Sequence, residues 1–243
     1  TPSVLPLVVF LHGFSAPFAN LNTPAGYASW VERIARQGNV VVFPKYQEGF
    51  DLSSSKWTPN ALASLKDALS KPWPSIQASE SSMMLVGHSA GCLVAANLAH
   101  SWFLNNLPLP AAMLLAMPYK DSGLSVSLSG IPDTCKLIGI VGNDDTNVGR
   151  SGCDAIWDRT NHLIERSYIR MFSDNHGSPK LNADHHIPEQ SSGNNALDWN
   201  GLWKFSDALR NYAFYDTDKE YVFCVCELLS SLGFWSYGVG VNP

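Results

Sequence analysis

The sequence is poor in positive charge. It contains 16 Lys and Arg residues against 21 Asp and Glu residues, which gives a net charge of -5 and a pI of about 5.7. No part of it forms the basic stripe with which proteins contact the phosphates of nucleic acids. We therefore expect no nucleic-acid partner.

Long apolar runs are also missing. No uninterrupted run reaches the roughly 18 residues that a helix needs to cross a bilayer, so the sequence predicts no transmembrane segment. Neither internal repeats nor a long low-complexity linker divides the 243 residues. The chain is accordingly predicted to form a single domain, residues 1–243.

The chain does not begin with methionine. It starts TPSVLPLVVF, almost directly in an apolar stretch. We expect that residues before Thr1 were removed by processing or trimming, and that the protein is secreted or periplasmic.

The five cysteines include no C-x-x-C pair. Cys224 and Cys226 are two apart, which in a strand would point them to opposite faces of the sheet. Cys92 lies in an apolar helical segment, where a core role is expected. Cys135 and Cys153 flank one strand and its following loop, and we expect a disulfide between them if the protein is exported. The alternative is that all five cysteines are reduced thiols.

What the sequence does contain is a regular alternation of apolar runs with helical patterns. Several of the runs are continuous, as expected for parallel strands that are covered on both faces. The pattern predicts an α/β protein with a mostly parallel, twisted sheet and helices on both faces. The predicted strands are Leu5–Leu11, Val40–Phe43, Met83–Val86, Ala112–Met117, Lys136–Val141 and Tyr168–Phe172. The first predicted helix begins at Pro24, after an N-cap at Thr23, and ends before Gly38. The other predicted helices are one that opens at Thr58-Pro59, and 90–105, 153–165 and 198–213.

A serine between two glycines joins the third strand to its helix, in the segment MMLVGHSAGCLVAANLAH, residues 83–100. A strand can run straight into a helix only through a sharp turn, whose apex is strained and whose neighbours must be small. Gly87 and Gly91 provide that room and place Ser89 at the carboxyl edge of the sheet, where a helix begins. This context predicts a nucleophile at Ser89, whereas the alternative is a plain tight turn.

A nucleophilic serine needs hydrogen-bond donors for the oxyanion that forms when it attacks a carbonyl group. The first predicted strand ends FLHGFS, and the backbone N–H of Phe14 lies just beyond it. The N–H of Ala90, the residue after the serine, is the second candidate donor. The alternative for His12-Gly13 is a strand end with a packed histidine.

The residues that would assist the serine follow later strands. KLIGIVGNDDTNVG offers Asp144 and Asp145 as acids, and we prefer Asp145, with Asp144 capping the turn. After the strand SYIRMF, the candidate bases are His176 in SDNHGSP and His185 in NADHHIP, and position alone leaves both open. The cluster Asp174, His176, Asp184, His185 and His186 could instead bind a metal, although no H-E-x-x-H spacing is present.

These motifs, HGF, GHSAG, GNDDTNV and a histidine after the last strand, resemble a serine esterase of the α/β-hydrolase superfamily. The resemblance covers residues 5–190 and implies Asp145 as the acid and, from a subgroup of bacterial esterase-like proteins, His185 as the base. Fewer strands precede HGF than is usual in the family, as in cutinase-like members. Sixteen residues, 119–134, separate AAMLLAMP from CKLIGI, which leaves no room for a large lid.

The function that these residues favour is hydrolysis of carboxylic esters by a Ser-His-Asp triad through an acyl-enzyme, on short-to-medium acyl or polyester-type substrates. No cofactor or metal is expected. The expected partner is a small-molecule or polymeric ester, and the protein is expected to be a monomer. The alternatives are an acyltransferase or amidase on the same fold, or a non-catalytic binding protein.

Overall fold

A six-stranded sheet in which every neighbouring pair of strands is parallel forms the centre of the protein in the computed structural model. The structure describes residues 3–16, 20–47, 53–71, 76–224, 227–235 and 239–241. The strands are β1 (Ser3–Leu11), β2 (Val40–Val42), β3 (Ile76–His88), β4 (Leu109–Ala116), β5 (Lys136–Gly142) and β6 (Arg166–Met171). This is the α/β architecture with a parallel sheet that the sequence predicts.

The order of the strands across the sheet is β2-β1-β3-β4-β5-β6. The chain therefore steps outward from β1 to β2, returns to the other side of β1, and then continues in one direction. Ligand sites of open α/β sheets lie at the carboxyl ends of the strands where such a reversal occurs. Here that point lies between Leu11 and Gly87, which are paired at the ends of β1 and β3.

Helices cover both faces of the sheet. They are α1 (Ala28–Arg36), α2 (Ser54–Ser70), α3 (Ala90–His100), α4 (Ser151–Arg159), α5 (Trp203–Tyr215) and α6 (Glu227–Ser230). Short 3₁₀ turns are Pro24–Tyr27, Gln190–Ser192 and Lys219–Tyr221, and Asp198–Leu202 is a π-helical turn. None of the helices in these described stretches is both long enough and apolar enough to span a membrane.

The core has two layers, one on each side of the sheet. Along β1, Leu7, Val9 and Leu11 pack toward α2 and α3, whereas Val8 and Phe10 pack toward α1 and α5. Alternate residues of a strand point to opposite faces, so a strand with apolar residues at every position contributes to both layers. Fully burying each such side chain stabilises the fold by about 1.5–3 kcal/mol relative to leaving it exposed.

Several helix boundaries differ from the prediction. The first predicted helix is divided into the 3₁₀ turn Pro24–Tyr27 and α1, and the last into the π-helical turn Asp198–Leu202 and α5. Helix α2 begins at Ser54 rather than at Thr58-Pro59, so Pro59 lies inside the helix. Helix α3 ends at His100 rather than at residue 105. Helix α4 ends at Arg159 rather than at residue 165, and the Thr160 hydroxyl that follows donates to the carbonyl of Ile156 at 2.9 Å.

The predicted disulfide between Cys135 and Cys153 is wrong, because both residues, like Cys92, are buried free cysteines. Cys135 precedes the first residue of β5, whereas the Sγ of Cys153 packs against Gly139. Gly139 lies four residues along the strand from Cys135, roughly 13 Å away, so the Cys153 thiol packs against a different part of β5. Cys224 is disulfide-bonded, and Cys226 lies outside the described residues.

Candidate active site

Ser89 is the single residue between β3, which ends at His88, and α3, which begins at Ala90. Its φ of 52° and ψ of -118° put a non-glycine residue in the left-handed half of backbone space, which costs free energy and is found mainly at functional sites. The end of β4 and the segment after it hold the turn, since the Ser89 N–H donates to the carbonyl of Ala116 at 3.0 Å and the Ser89 carbonyl accepts from the N–H of Tyr119 at 3.1 Å.

Gly91 is the residue that lets this turn lie against β1. A Cβ at position 91 would be 2.0 Å from the carbonyl oxygen of Leu11, a distance that no side chain tolerates. The turn therefore packs directly on the end of β1, which brings Ser89 next to the loop that begins at His12.

His185 lies on the long loop after β6 and contacts Ser89. Its Nε2 is 2.9 Å from the Oγ of Ser89 and its Nδ1 is 2.9 Å from the Oδ2 of Asp145. A carboxylate can only accept a hydrogen bond, so Nδ1 carries the proton of the neutral ring. Nε2 then accepts from the hydroxyl of Ser89, which is the direction that activates a serine.

Hydrogen bonds from the backbone hold the side chain of Asp145 in place. Its side chain is fully buried, and its Oδ1 accepts the N–H groups of Asn147 at 2.9 Å and Val148 at 3.0 Å. Burial by itself raises the pKa of Asp145, but the hydrogen bond from His185 and those from the backbone outweigh it and hold the pKa below its usual value. The carboxylate is therefore ionised at neutral pH.

The competing candidates lie elsewhere. Asp144 is exposed and accepts hydrogen bonds from the hydroxyl of Ser173 at 2.5 Å and the amide of Asn143 at 3.0 Å. His176 is exposed as well; its N–H donates to Asp174 and its ring lies 6.4 Å from the ring of Trp235. The structure thus brings Asp145 and His185 to Ser89, and does not bring Asp144 or His176 there.

His186 points away from the serine. Its Nδ1 is 3.0 Å from the Oε1 of Glu189 and its Nε2 is 3.2 Å from the amide of Asn147. Within the described part of the chain, no three His, Cys, Asp or Glu side chains are grouped closely enough to hold a metal ion.

The two predicted oxyanion donors are the backbone N–H groups of Ala90 and Phe14. Ala90 is the first residue of α3, where backbone N–H groups lack partners within the helix. The N–H groups on either side of Phe14 are both taken, that of Gly13 by the hydroxyl of Tyr27 at 2.7 Å and that of Ser15 by the Oε1 of Gln47 at 2.9 Å. Among the hydrogen bonds between described residues, the N–H of Phe14 has none.

Sequence reasoning missed the contacts that fold the His185 loop back over the sheet. The carbonyl of Ala183 accepts the N–H of Asp144 at 3.0 Å, and the N–H of Ala183 donates to the hydroxyl of Ser173 at 2.8 Å. The turn on Asp145 did have a sequence signal, because an aspartate commonly accepts the backbone N–H two residues further on. The hydrogen bonds of Ser173 with Asp144 and Ala183 join segments that are far apart in the sequence, and no local pattern indicates them.

A family model described as the alpha/beta hydrolase fold matches residues 8–136, just over half of the chain. A search of curated proteins gave no match. Among solved structures, carboxyl esterase 2 from the mycorrhizal fungus Tuber melanosporum has a similar fold, with 14% identity and a TM-score of 0.56, covering 88% of this chain and 77% of that one.

Two further structures are similar. A fungal esterase from Rhizomucor miehei has 13% identity and a TM-score of 0.57, covering 87% of this chain and 76% of that one. Alpha/beta hydrolase domain-containing protein 10 from mouse has 14% identity and a TM-score of 0.51, covering 76% of this chain and 84% of that one. At this low identity the likeness is one of fold.

Proposed function

Since the chain belongs to the α/β-hydrolase family, we propose that it hydrolyses carboxylic esters through an acyl-enzyme formed on Ser89. The observation that carries the proposal is the pair of 2.9 Å contacts that His185 makes, one to the Oγ of Ser89 and one to the Oδ2 of Asp145. This is the arrangement of nucleophile, base and orienting acid that acyl transfer requires.

Acylation begins when the Nε2 of His185 accepts the hydroxyl proton of Ser89 as Oγ attacks the ester carbonyl carbon. The tetrahedral intermediate places its negative charge on the former carbonyl oxygen, toward the N–H groups of Phe14 and Ala90. When the intermediate collapses, the bond to the alcohol oxygen breaks and the imidazolium protonates the leaving alcohol.

Deacylation repeats these steps with water as the nucleophile. His185 takes a proton from the water, the acid is released, and the proton returns to the oxygen of Ser89. Asp145 holds the tautomer with the proton on Nδ1 and stabilises the imidazolium. Each oxyanion donor of this kind contributes about 10²- to 10³-fold in kcat.

The substrates we propose are short-to-medium acyl or polyester-type esters. Residues 117–135, all of which are described, contain no helix between β4 and β5, so no helical lid covers the site from that connection. The ring of Phe14 is 37% exposed and lies 6.3 Å from the buried ring of Trp57, which gives an acyl chain an apolar surface beside the oxyanion donors.

Turnover of p-nitrophenyl acetate and butyrate tests the proposal. Ser89→Ala removes the attacking oxygen and is expected to lower kcat by at least about 10³-fold. Ser206→Ala is the matched control, because Ser206 is also buried but lies in α5, and it is expected to stay within about twofold of the unaltered protein. Wild-type turnover by folded Ser89→Ala would overturn the proposal.

A further inference from the structure

Three hydrogen bonds between buried groups run beneath Ser89. The N–H of Gly13 donates to the hydroxyl of Tyr27 at 2.7 Å, the same hydroxyl is 2.8 Å from the Nδ1 of His88, and the Nε2 of His88 is 3.0 Å from the carbonyl oxygen of His185. The side chains of Tyr27 and His88 are each 1% exposed. None of these bonds belongs to the mechanism described above.

The donor and acceptor roles along this hydrogen-bond chain are fixed by the carbonyl of His185 at one end. A carbonyl oxygen only accepts, so the Nε2 of His88 carries the proton. A neutral imidazole has one N–H, so its Nδ1 is an acceptor and the hydroxyl of Tyr27 donates to it. The oxygen of Tyr27 is then left to accept the N–H of Gly13. Each donor faces one acceptor, and the chain forms in this one direction.

The two ends of this hydrogen-bond chain belong to separate parts of the proposed site. Gly13 precedes Phe14, whose N–H is a proposed oxyanion donor, and His185 is the proposed base. A Cβ at position 13 would lie 2.8 Å from the Nδ1 of His88, so a glycine here is what lets the oxyanion loop approach the ring. His88 itself precedes Ser89 in the chain.

We propose that Tyr27 and His88 are positioning residues, which hold the oxyanion loop and the main chain of His185 in register with Ser89. The inference rests on the proposed function, because it assigns these residues to the support of the same reaction. In this proposal neither side chain contacts the substrate.

The catalytic cycle explains why such a support is useful. The bonds from the His185 ring to Ser89 and to Asp145 change as the ring gains and loses a proton, whereas the bond from His88 to the His185 carbonyl does not depend on that proton. Burial, with a further contribution from the nearby His185, lowers the pKa of His88 to about 3. His88 therefore remains neutral while the ring of His185, 5.0 Å away between centroids, becomes charged.

The test compares kcat and KM of Tyr27→Phe, His88→Gln and the double variant on p-nitrophenyl butyrate, with titration of competent sites by an organophosphate. Tyr27→Phe removes only the hydroxyl and keeps the ring. Displacing catalytic groups by about 1 Å costs about 10²-fold, so each single variant is expected to lose 10- to 100-fold in kcat, with KM within about threefold. Because the two residues form one chain, the double variant is expected to lose no more than the worse single variant.

Thr160→Val is the matched control, since it removes another buried hydroxyl, in the turn after α4 and away from the site. It is expected to keep kcat within about twofold. Wild-type kcat in Tyr27→Phe and His88→Gln, while Ser89→Ala is inactive, overturns this inference and leaves the proposed function standing; additive losses also overturn it. An active Ser89→Ala overturns the proposed function instead. If Tyr27→Phe does not fold, His88→Gln carries the same expectation.

Discussion

Replacing Asp145 by asparagine changes one oxygen to an amide nitrogen and tests whether this residue orients the base. The asparagine oxygen can still accept the N–H groups of Asn147 and Val148, which now bond the Oδ1 of Asp145. The amide NH₂ then faces the Nδ1 of His185, which must accept rather than donate. The proton moves to Nε2, so the ring can no longer take the proton of Ser89.

The expected loss follows from that reversal of the tautomer. In another Ser-His-Asp enzyme the same substitution lowers kcat by about 10⁴-fold. For Asp145→Asn we expect about 10³- to 10⁴-fold, or about 4–5.5 kcal/mol of transition-state stabilisation. Since the side chain keeps its shape and its backbone hydrogen bonds, the circular dichroism spectrum is expected to be unchanged.

Steady-state hydrolysis of p-nitrophenyl butyrate at pH 7 measures this loss. Asp144→Asn is the matched control, because Asp144 is the adjacent aspartate but is exposed and bonded to Ser173 and Asn143. It is expected to lose less than about tenfold. If Asp145→Asn keeps activity within tenfold of the unaltered protein, or if Asp144→Asn is the more damaged variant, the assignment of the acid is wrong.

Two further predictions concern histidines. His185→Ala is expected to cost nearly as much kcat as Ser89→Ala, because members of a triad act as a unit, whereas the exposed His176→Ala is expected to stay within about threefold; the reverse pattern in an ester assay would contradict this. Burial lowers the pKa of His12 to about 4 and that of His88 to about 3. Below the unfolded pKa of about 6.5 the unfolded state therefore binds more protons than the folded state. Between pH 7 and pH 4 each of these two histidines lowers the free energy of unfolding by about 3 kcal/mol. Asp198, whose burial raises its pKa to about 6, works in the opposite direction and offsets about one ring, so urea unfolding is expected to show a lower free energy of unfolding at pH 4 than at pH 7, and an equal or higher value would refute the account.

The strands and the serine turn were within reach of sequence reasoning because their signals are local. Continuous apolar runs indicate strands covered on both faces, and β3 is fully buried from Met83 to His88. The start of α2 was not, because a proline after a threonine is typical of the first position of a helix. In the structure five residues precede it in the helix, among them Trp57, which packs into the core.

The choice between His176 and His185 needed information that the sequence does not carry locally. Both follow β6, and what separates them is the path of the loop between them. That path is set by the paired hydrogen bonds between Asp174 and Leu181 and by the contacts of Ala183 with Asp144 and Ser173. The resemblance to known esterases favoured His185 because the family pattern places the base in the corresponding segment, which already reflects the path of this loop.

The role of Tyr27 and His88 escaped sequence reasoning for a similar reason. They are 61 residues apart, and a tyrosine at the end of a short turn has the same appearance as any core aromatic. Only the folded chain places its hydroxyl between the N–H of Gly13 and the ring of His88.

The measurement that bears most directly on the central claim is the mass of the protein trapped during turnover. Rapid acid quenching in the presence of p-nitrophenyl butyrate, followed by peptide mass spectrometry, would locate any acyl group. The account predicts one butyryl group on the peptide that contains Ser89, and no adduct in Ser89→Ala. An adduct on a different residue, or undiminished ester hydrolysis by Ser89→Ala, would contradict it.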